Sequence, residues 1–325
     1  MKKGFIIAAV VLIAAGVAVF AGFFIASGSD FSKLDDTVYE TKTYPVEEAF
    51  DGIEIDVSEA DVVFMPSVNG KASVECLKRE KTDFTVSAEN GVLKIAGKDE
   101  RKWYDRSLFS LKKQTVTLYL PAGGFGALRI DCGTGDVSLP GDFTFASADI
   151  TAGTGDVYCG ASADGAITVK TTTGDIRIEG ARAGEIELSV STGCIDAGQV
   201  SCGGTLSAVF GTGKLRLTEA VCERLVCEGS TGDVILKNTV ASESFDIKAG
   251  TGDVRFDDCD SGQISVNTST GSVTGTLLTE KVFVAKASTG RVDVPDTVSG
   301  GSCRITTSTG DISIELAGKG KNGGK

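Results

Sequence analysis

The chain has 325 residues, among them 42 glycines, five prolines, nine cysteines and no histidine. The lack of histidine excludes imidazole bases, Ser-His-Asp and Cys-His catalytic arrangements, and histidine-ligated metal sites. The formal net charge of −12 makes nucleic acid and anionic lipid headgroups unfavourable ligands, because both are negatively charged. Many glycines and few prolines are typical of short strands joined by tight turns.

An uncharged apolar run, residues 4–26, follows Met1-Lys2-Lys3. As a helix it would span roughly 34 Å, enough to cross a bilayer core of about 30 Å. A cleaved signal peptide is the alternative, although its apolar region is usually only about 7–15 residues long. The positive-inside rule keeps Lys2 and Lys3 in the cytoplasm. We therefore predict that residues 1–27 form a transmembrane α-helix with a short cytoplasmic tip. This single-pass anchor in the cell membrane would leave the rest of the chain extracellular.

A polar stalk (28–42) and a β-rich region (43–127) are expected next. In the β-rich region, apolar and polar residues alternate along Ile53–Phe64, and Asn90-Gly91 is a hairpin turn signal. The charged segment 99–113, which contains Trp103, is expected to be a loop or a single helical turn. We interpret 43–127 as irregular β coils that cap the domain.

A Thr-Gly pair returns ten times in the rest of the chain, at steps of 19 or 20 residues. A fixed period is the sequence signature of a repeat architecture. The regular array is assigned to residues 128–317. Its structural turns are Thr134-Gly135, Thr154-Gly155, Thr173-Gly174, Thr192-Gly193, Thr212-Gly213, Thr231-Gly232, Thr251-Gly252, Thr270-Gly271, Thr289-Gly290 and Thr309-Gly310.

The residues on both sides of each turn alternate between apolar and polar. Counted from Thr as zero, positions −6, −4, +3 and +5 are apolar in almost every repeat, as in Ile186/Leu188 and Ile176/Ile178. Period-two alternation predicts two half-buried strands per repeat. A third, shorter side is expected to turn apolar residues inward in several repeats: Phe143, Val200, Val221, Val240 and Val298.

A single repeat cannot bury its own apolar face, so neighbouring repeats must stack into one continuous core. Each strand then pairs with its equivalent one coil along, about 4.8 Å away. The predicted fold is therefore all-β, a β-solenoid of about 19–20 residues per coil. A β-propeller needs about 40–50 residues per blade, and the Leu-x-x-Leu-x-Leu pattern of leucine-rich repeats is missing.

The turn itself admits a structural and a metal-binding interpretation. Gly supplies a positive-φ corner, while the Thr hydroxyl and a following Asp can cap turn amides. Six repeats carry that Asp, so a calcium column is the alternative. Four repeats replace it with Cys194, Lys214, Ser272 or Arg291. We therefore favour the structural role and assign no metal, cofactor or catalytic residue.

The nine cysteines are interpreted mainly as core residues. Cys132, Cys159 and Cys227 fall at inward positions, where cysteine acts as a small apolar side chain. Cys202 and Cys222 both lie ten residues after their Thr, in adjacent coils. Their Cα atoms should be about 5 Å apart, within disulfide range. They are a candidate disulfide; free thiols are the alternative.

The final segment, residues 318–325, is rich in Gly and Lys and is expected to be disordered. It would leave the last coil of the array with little to cover it. An exposed terminal strand invites edge pairing. End-to-end self-association is therefore expected.

The region from Ile53 to Leu316 resembles the DUF4097 family of putative bacterial adhesins. The resemblance is carried by the Ile53–Phe64 strand pair, the Val116–Pro121 strand ending in Leu-Pro, and the repeated Ser/Gly-Thr-Gly-Asp-Val/Ile coils. It implies a single-stranded right-handed β-helix and a location in the bacterial envelope. It supplies no functional residue, because the shared positions are those of turn and core.

Three functions are compatible with this pattern. The favoured one is a non-catalytic surface scaffold or adhesin-like module that faces an unidentified envelope protein or cell-wall partner. The second is an envelope-stress or signalling accessory that acts through its membrane helix. The third is a β-helix enzyme acting on cell-wall polysaccharide, whose cleft would be sought at the break in the pattern, 99–113.

Overall fold

The computed structural model describes residues 38–80, 82–99 and 113–318. The predicted membrane helix lies outside the described residues, as do most of the segment 99–113 and the tail from residue 319 onward. Every regular element in the described part of the chain is a β-strand. The predicted all-β solenoid is confirmed, with about ten turns. No helix with the length and apolar character needed to span a membrane is found in the described part of the chain.

The N-terminal region contributes seven strands. They are β1 (Tyr39–Pro45), β2 (Gly52–Glu59), β3 (Asp61–Pro66), β4 (Ser73–Arg79), β5 (Thr82–Glu89), β6 (Val92–Asp99) and β7 (Thr115–Leu120).

The first half of the array contains thirteen strands, several of them very short. They are β8 (Gly123–Thr134), β9 (Val137–Leu139), β10 (Phe143–Thr154), β11 (Val157–Cys159), β12 (Ser162–Ala163), β13 (Ala166–Thr173), β14 (Ile176–Glu179), β15 (Arg182–Ala183), β16 (Glu185–Thr192), β17 (Ile195–Gly198), β18 (Ser201–Cys202), β19 (Thr205–Thr212) and β20 (Leu215–Thr218).

The second half contains nine strands. They are β21 (Val221–Thr231), β22 (Val234–Lys237), β23 (Val240–Thr251), β24 (Val254–Thr270), β25 (Val273–Leu277), β26 (Lys281–Thr289), β27 (Val292–Asp293), β28 (Gly301–Thr309) and β29 (Ile312–Leu316).

Each Thr-Gly turn separates two strands that belong to different parallel sheets. The leading sheet contains the strands that end at the turn, and the trailing sheet contains those that follow it. Equivalent strands of neighbouring coils pair in register. In the leading sheet Ile167 pairs with Ile186, and Ile186 pairs with Leu206. In the trailing sheet Val157 pairs with Ile176. This register stacks identical repeat positions, so the inward side chains form continuous columns.

The interior of the solenoid is a single apolar core that runs through all the coils. The inward Ile, Leu and Val side chains of both sheets are almost completely buried, each worth about 1.5–3 kcal/mol relative to exposure. The largest side chains in this core are aromatic: Phe64, Phe143, Phe145, Phe210, Phe245 and Phe256.

On the third side, the predicted inward positions are partly wrong. Phe143 and Val200 are buried as predicted. Val221, Val240 and Val298 instead point outward, with exposed fractions of 53%, 37% and 93%. The expectation of one inward register for all five residues is therefore corrected.

The backbone at the second corner of the coil explains the correction for the first two of these valines. Glu219 and Asn238 adopt positive φ values of 55° and 47°. The next residues, Ala220 and Thr239, are fully buried and take the inward place. Since side chains alternate along a strand, the following valine must face solvent.

At the N-terminal end the order of coils in space differs from their order in the chain. Strands β2 and β3 pair directly with β8 and β9, while β6 and β7 pair on their other side. Antiparallel strands then close this end, β5 against β6 and β4 against both β7 and β1. The β5–β6 hairpin turns at Asn90-Gly91, where both residues have positive φ, as the sequence predicted.

The C-terminal end has a comparable exchange of coils. The strand that ends at Thr270 pairs with the one that ends at Thr309, and this in turn pairs with the strand that ends at Thr289. The last repeat of the chain, β28–β29, is therefore inserted between its two predecessors. The expectation that this repeat lacks a cover is wrong, because β26 and β27 lie over it.

The composition of the two exchanged repeats explains their places. The inserted repeat turns Ile305, Ile312 and Ile314 into the core, all at most 3% exposed. At the positions paired with Ile305 and Ile312, the outermost repeat has the smaller Ala285, which is only partly buried, and Val292, which is 44% exposed. Apolar burial is greatest when the more apolar repeat has neighbours on both sides.

Candidate functional site

The glycine of every Thr-Gly corner has a conformation and a surrounding that exclude a side chain. Its φ lies between 131° and 151° in all ten turns, a range that residues with a side chain rarely adopt. A Cβ placed there would lie 1.4–2.1 Å from a backbone carbonyl oxygen of the neighbouring coil. The glycine is therefore required by the close stacking of the corners.

The corner backbone is joined from coil to coil by hydrogen bonds. The Gly155 N–H donates to the Thr173 carbonyl at 2.9 Å, and the equivalent bond from Gly232 to Thr251 measures 2.7 Å. The turn threonines stack in register along the leading sheet, but within the described residues their hydroxyls form no hydrogen bond. The expectation that these hydroxyls cap turn amides is corrected.

The aspartate after each turn does act as a cap, and it caps the neighbouring coil. Asp136 Oδ1 accepts the N–H of Asp156 at 2.9 Å, and Asp156 Oδ1 accepts the N–H of Asp175 at 2.8 Å. Asp175 in turn accepts the N–H of Cys194 at 2.7 Å. The carboxylates thus form a hydrogen-bonded ladder along the corner, which we call the aspartate ladder.

A second part of the aspartate ladder runs through the later repeats. Asp233 Oδ1 accepts from Asp253 at 3.2 Å, and Asp253 Oδ1 accepts from Ser272 at 2.8 Å. Asp311 Oδ1 accepts from the N–H of Arg291, in accordance with the exchanged coil order. These bonds explain why the repeats tolerate Cys194, Ser272 and Arg291 at the aspartate position, since each still donates its backbone N–H.

Lysine side chains neutralise this ladder at two points. Lys113 Nζ lies 2.7 Å from Asp136 Oδ2 and 3.3 Å from Asp61 Oδ1, at the N-terminal end. Lys214 Nζ lies 3.1 Å from Asp233 Oδ2, at the break between the two parts. The N–H of Asp253 and then Lys214 hold the pKa of Asp233 below its usual value. The carboxylates are therefore engaged with amides and lysines.

This arrangement bears directly on the calcium alternative. One oxygen of each ladder carboxylate above is already bound to an amide, whereas calcium requires six to eight oxygen ligands. In the part of the chain that the structure describes, no group of three or more acidic or cysteine side chains is placed to hold a metal ion. The corner geometry accounts for the recurrent aspartate by backbone capping.

The outer face of the trailing sheet carries a column of charged side chains. In the register Arg177 lies beside Asp196, which lies beside Arg216. Arg216 Nη1 contacts Asp196 Oδ1 at 2.9 Å. An adjoining depression of about 350 Å³ also includes Glu179 and Glu219. All of these charges are solvated, so each pair contributes a few tenths of a kcal/mol and the column remains open to a partner.

A larger groove of about 590 Å³ lies at the N-terminal end, between β1 and β5. Its lining includes the apolar residues Val86 and Leu93, Tyr44, and acidic residues such as Glu47 and Glu89. Tyr44 donates its hydroxyl proton to the carbonyl of Phe84 at 2.9 Å, which joins the two strands across the groove. The groove was not predicted from the sequence, because it lies between β1 and β5, which belong to different sheets.

The cysteines are placed as core residues rather than reactive groups. Eight of the nine are buried, including Cys132, Cys159 and Cys227 in the predicted columns. Burial raises the pKa of the Cys159 thiol to about 12 and that of Cys132 to about 11. Thiols in this state are poor nucleophiles at neutral pH, because the thiolate is the reactive species.

The candidate disulfide pair occupies one column of the third side. Cys202 pairs with Ala183 on one side, and Cys222 pairs with Ala241 on the other. Both thiols are free and buried in the structure, and Cys202 Sγ contacts the Thr205 carbonyl at 3.2 Å. The bridge between them stays a prediction.

These features define a β-solenoid whose repeated motif builds its corners and whose outer faces vary from coil to coil. The family model for DUF4097, described as Toastrack, matches residues 50–220 and 204–323. The chain belongs to the DUF4097 family. No match was found among curated proteins.

Several solved structures match this chain at low identity. A "putative adhesin" from Bacteroides fragilis is 15% identical with a TM-score of 0.44, over 86% of this chain and 97% of its own. A "putative lipid binding protein" from Parabacteroides distasonis is 12% identical with a TM-score of 0.42, over 86% and 98%. A "putative cell adhesion protein" from Clostridium sporogenes is 9% identical with a TM-score of 0.23, over 86% and 100%.

Proposed function

We propose that this chain is a membrane-anchored extracellular scaffold, an adhesin-like module that acts without catalysis. The observation that carries the proposal is the contrast between the constant interior and the variable exterior of the coils. Core and corner positions repeat from coil to coil, whereas outer positions such as Arg177, Asp196 and Arg216 differ. Solenoids present extended surfaces of this kind to large partners.

The chemistry of the reactive side chains supports a non-catalytic role. The sequence contains no histidine, and burial raises the pKa of Cys159, Cys222 and Cys303 to about 12. The repeated carboxylates are engaged in the aspartate ladder. Histidine is therefore missing as a general base, and these thiols and ladder carboxylates are held in structural roles.

The orientation follows from the place of the apolar run 4–26. It precedes β1, which lies at the end of the solenoid closed by antiparallel strands. As a transmembrane helix it would place this capped end next to the membrane and direct the opposite end outward. We also propose that the coils of this solenoid wind in the right-handed sense, as the family resemblance implies.

Protease treatment of intact cells tests the location. Cells expressing the full chain with an epitope after residue 325 should lose the epitope when protease is added outside. A second strain with the epitope before Met1 should keep it. Protection of the C-terminal epitope until the cells are lysed would contradict the extracellular orientation.

Partner binding and wall hydrolysis separate the functional alternatives. Cells carrying the full chain should bind cell-wall material or neighbouring cells, and cells carrying only residues 1–42 should not. Envelope signalling retained by the 1–42 variant would favour the accessory role. Release of soluble sugars from purified cell wall by the full chain would favour the enzyme.

A further inference from the structure

The two ends of the solenoid are finished in different ways. At the N-terminal end, β5 and β1 are antiparallel covering strands with charged residues such as Asp83, Glu40 and Lys42 facing solvent. Outward charges are a common protection of edge strands against pairing. At the C-terminal end no antiparallel strand follows β26 in the described part of the chain.

Strand β26 is an open, apolar edge. It runs for nine residues and, within the described residues, pairs only with β28. The backbone groups on its other edge therefore lack a strand partner. Two of its outward side chains are valines, Val282 and Val284, with exposed fractions of 41% and 54%. Phe283 points toward the core but is only partly buried. A long apolar edge is a template for another strand.

The chain segment that follows the last strand cannot supply this cover by apolar contact. Residues 319–325 consist of Gly, Lys and Asn only. They offer no apolar side chain to place against Phe283, Val282 or Val284. The occupant must bring a strand with apolar residues of its own.

We propose that β26 pairs antiparallel with β26 of a second copy. The two copies are related by a two-fold axis that passes between their Phe283 residues. A strand related to itself by a two-fold axis runs antiparallel, so it presents the same surface from both copies. In this register Val282 lies opposite Val284 of the second copy. The Phe283 side chains meet at the axis and close the open end of each core.

Two charged residues near the valines fit the same register. Lys286 is exposed, and the register places it opposite Glu280 of the second copy, whose Oε2 accepts the Ser299 hydroxyl proton at 2.7 Å within its own chain. Opposite charges directly across an antiparallel pair are favourable, and apolar pairs add to them. A register centred on Val284 would set Val282 against Lys286, and one centred on Ala285 would set Val284 against Lys286. Of these three registers, only the one centred on Phe283 avoids valine against charge.

The dimer would join two solenoids end to end through the leading sheet. The ten Thr-Gly coils and the two coils before them extend about 55–60 Å at the usual strand spacing. The two capped N-terminal ends would then lie at opposite ends of the dimer. If the proposed membrane anchor holds, the contact joins copies on two facing membranes, and this part rests on the proposed function.

Sedimentation of the full chain, in detergent where the apolar run requires it, tests the pairing. The wild type should pass from monomer to dimer with rising concentration and stop at dimer. Val284→Lys should raise the dissociation constant at least tenfold. Val209→Lys is the matched control, because Val209 is an outward valine in the middle of the leading sheet with 39% exposure; it should leave the dimer unchanged.

A charge exchange tests the register itself. Lys286→Glu alone should weaken the dimer, and Glu280→Lys combined with Lys286→Glu should restore it, because the opposite charges face each other again. Circular dichroism of each variant must retain the wild-type strand signal.

The outcomes separate this inference from the proposed function. A folded wild type that remains monomeric, or that grows into open polymers by head-to-tail contact, overturns the dimer. A dimer insensitive to Val284→Lys also overturns it. If the chain is monomeric but is exposed on the cell surface and binds a partner, the dimer is overturned and the proposed function stands. If the chain dimerises but is not exposed on the surface, the proposed function is overturned and the strand pairing stands.

Discussion

At the residue scale, the corner glycines carry the strictest steric requirement in the molecule. Each combines a positive φ with a carbonyl oxygen of the neighbouring coil within 1.4–2.1 Å of its Cβ position. The sequence predicted the positive φ, because Gly recurs in every turn. It did not predict the close approach, because stacking distances at a corner depend on both coils.

Replacing one corner glycine tests this requirement. Gly252→Ala would put a Cβ 2.0 Å from the Gly232 carbonyl oxygen, and we expect a loss of about 3 kcal/mol in the free energy of unfolding. Gly180→Ala is the control, since Gly180 has a φ of 71° but nothing within 4 Å of its Cβ. It should cost only about 1 kcal/mol. Urea unfolding measures both, and equal losses would rule out the clash.

The aspartate ladder predicts a dependence of stability on pH. The N–H of Asp253 and then Lys214 lower the pKa of Asp233 from its usual value. A depressed carboxyl pKa stabilises the fold above the pKa of the unfolded chain, and this contribution is lost as pH falls through the folded value. Wild-type stability should therefore hold from pH 7 to about 5 and fall below about pH 4.

Two substitutions separate the charge of Asp233 from its hydrogen bond. Asp233→Ala removes the acceptor and should cost about 1 kcal/mol at pH 7. Asp233→Asn keeps an acceptor oxygen at every pH, so its stability should fall less on acidification than that of the wild type. Urea unfolding at pH 7 and pH 3.5 is the measurement. An Asn variant as acid-sensitive as the wild type would show that Asp233 contributes nothing to the pH dependence.

At the element scale, the exchanged coils are the least expected feature of the fold. Alternation and period predicted the strands and their inward residues correctly through most of the array, as at Ile186 and Leu188. They could not predict that β28 lies between β24 and β26, because identical repeats are compatible with any stacking order. The order depends on which repeat buries more apolar surface when a coil lies on each side of it.

Hydrogen exchange tests the exchanged order. In the Val284→Lys variant, which should be monomeric, backbone amides of β28, such as that of Ile305, should exchange more slowly than those of β26, such as that of Ala285, because β28 has a strand on each side. Stacking in chain order predicts the reverse. Mass spectrometry on the peptides 281–289 and 301–309 distinguishes the two orders directly, and comparable protection of β26 and β28 would not support the exchange.

The third side shows why element-level prediction failed locally. The inward position there is set by positive-φ residues such as Glu219 and Asn238. Glu rarely adopts a positive φ and Asn adopts it less often than glycine, so the sequence did not indicate this conformation. A shift of one residue then turns a valine from core to surface. The candidate disulfide Cys202–Cys222 lies on this same side but keeps its column, because both residues follow the turn at equal distance.

At the scale of the whole molecule, the solenoid has one capped end and one open end. The sequence predicted end-to-end association but assigned it to the last repeat of the chain. In the structure the open edge is β26 instead, where Val282, Phe283 and Val284 lie together. If the proposed membrane anchor holds, the capped end faces the membrane and the open end points outward, which would link this edge to the proposed adhesin-like function.

Disulfide trapping at the open end tests the central claim most directly. Directly opposed residues of antiparallel strands have Cα atoms about 4.5–5.5 Å apart, within disulfide range. Full-length Phe283→Cys should therefore form a covalent dimer under mild oxidation, in a Cys303→Ala background because Cys303 lies beside position 283 in the same copy. Thr41→Cys, on the edge strand β1 of the capped end, should remain monomeric. Trapping through Thr41→Cys with a monomeric Phe283→Cys variant would place the contact at the wrong end and contradict the account.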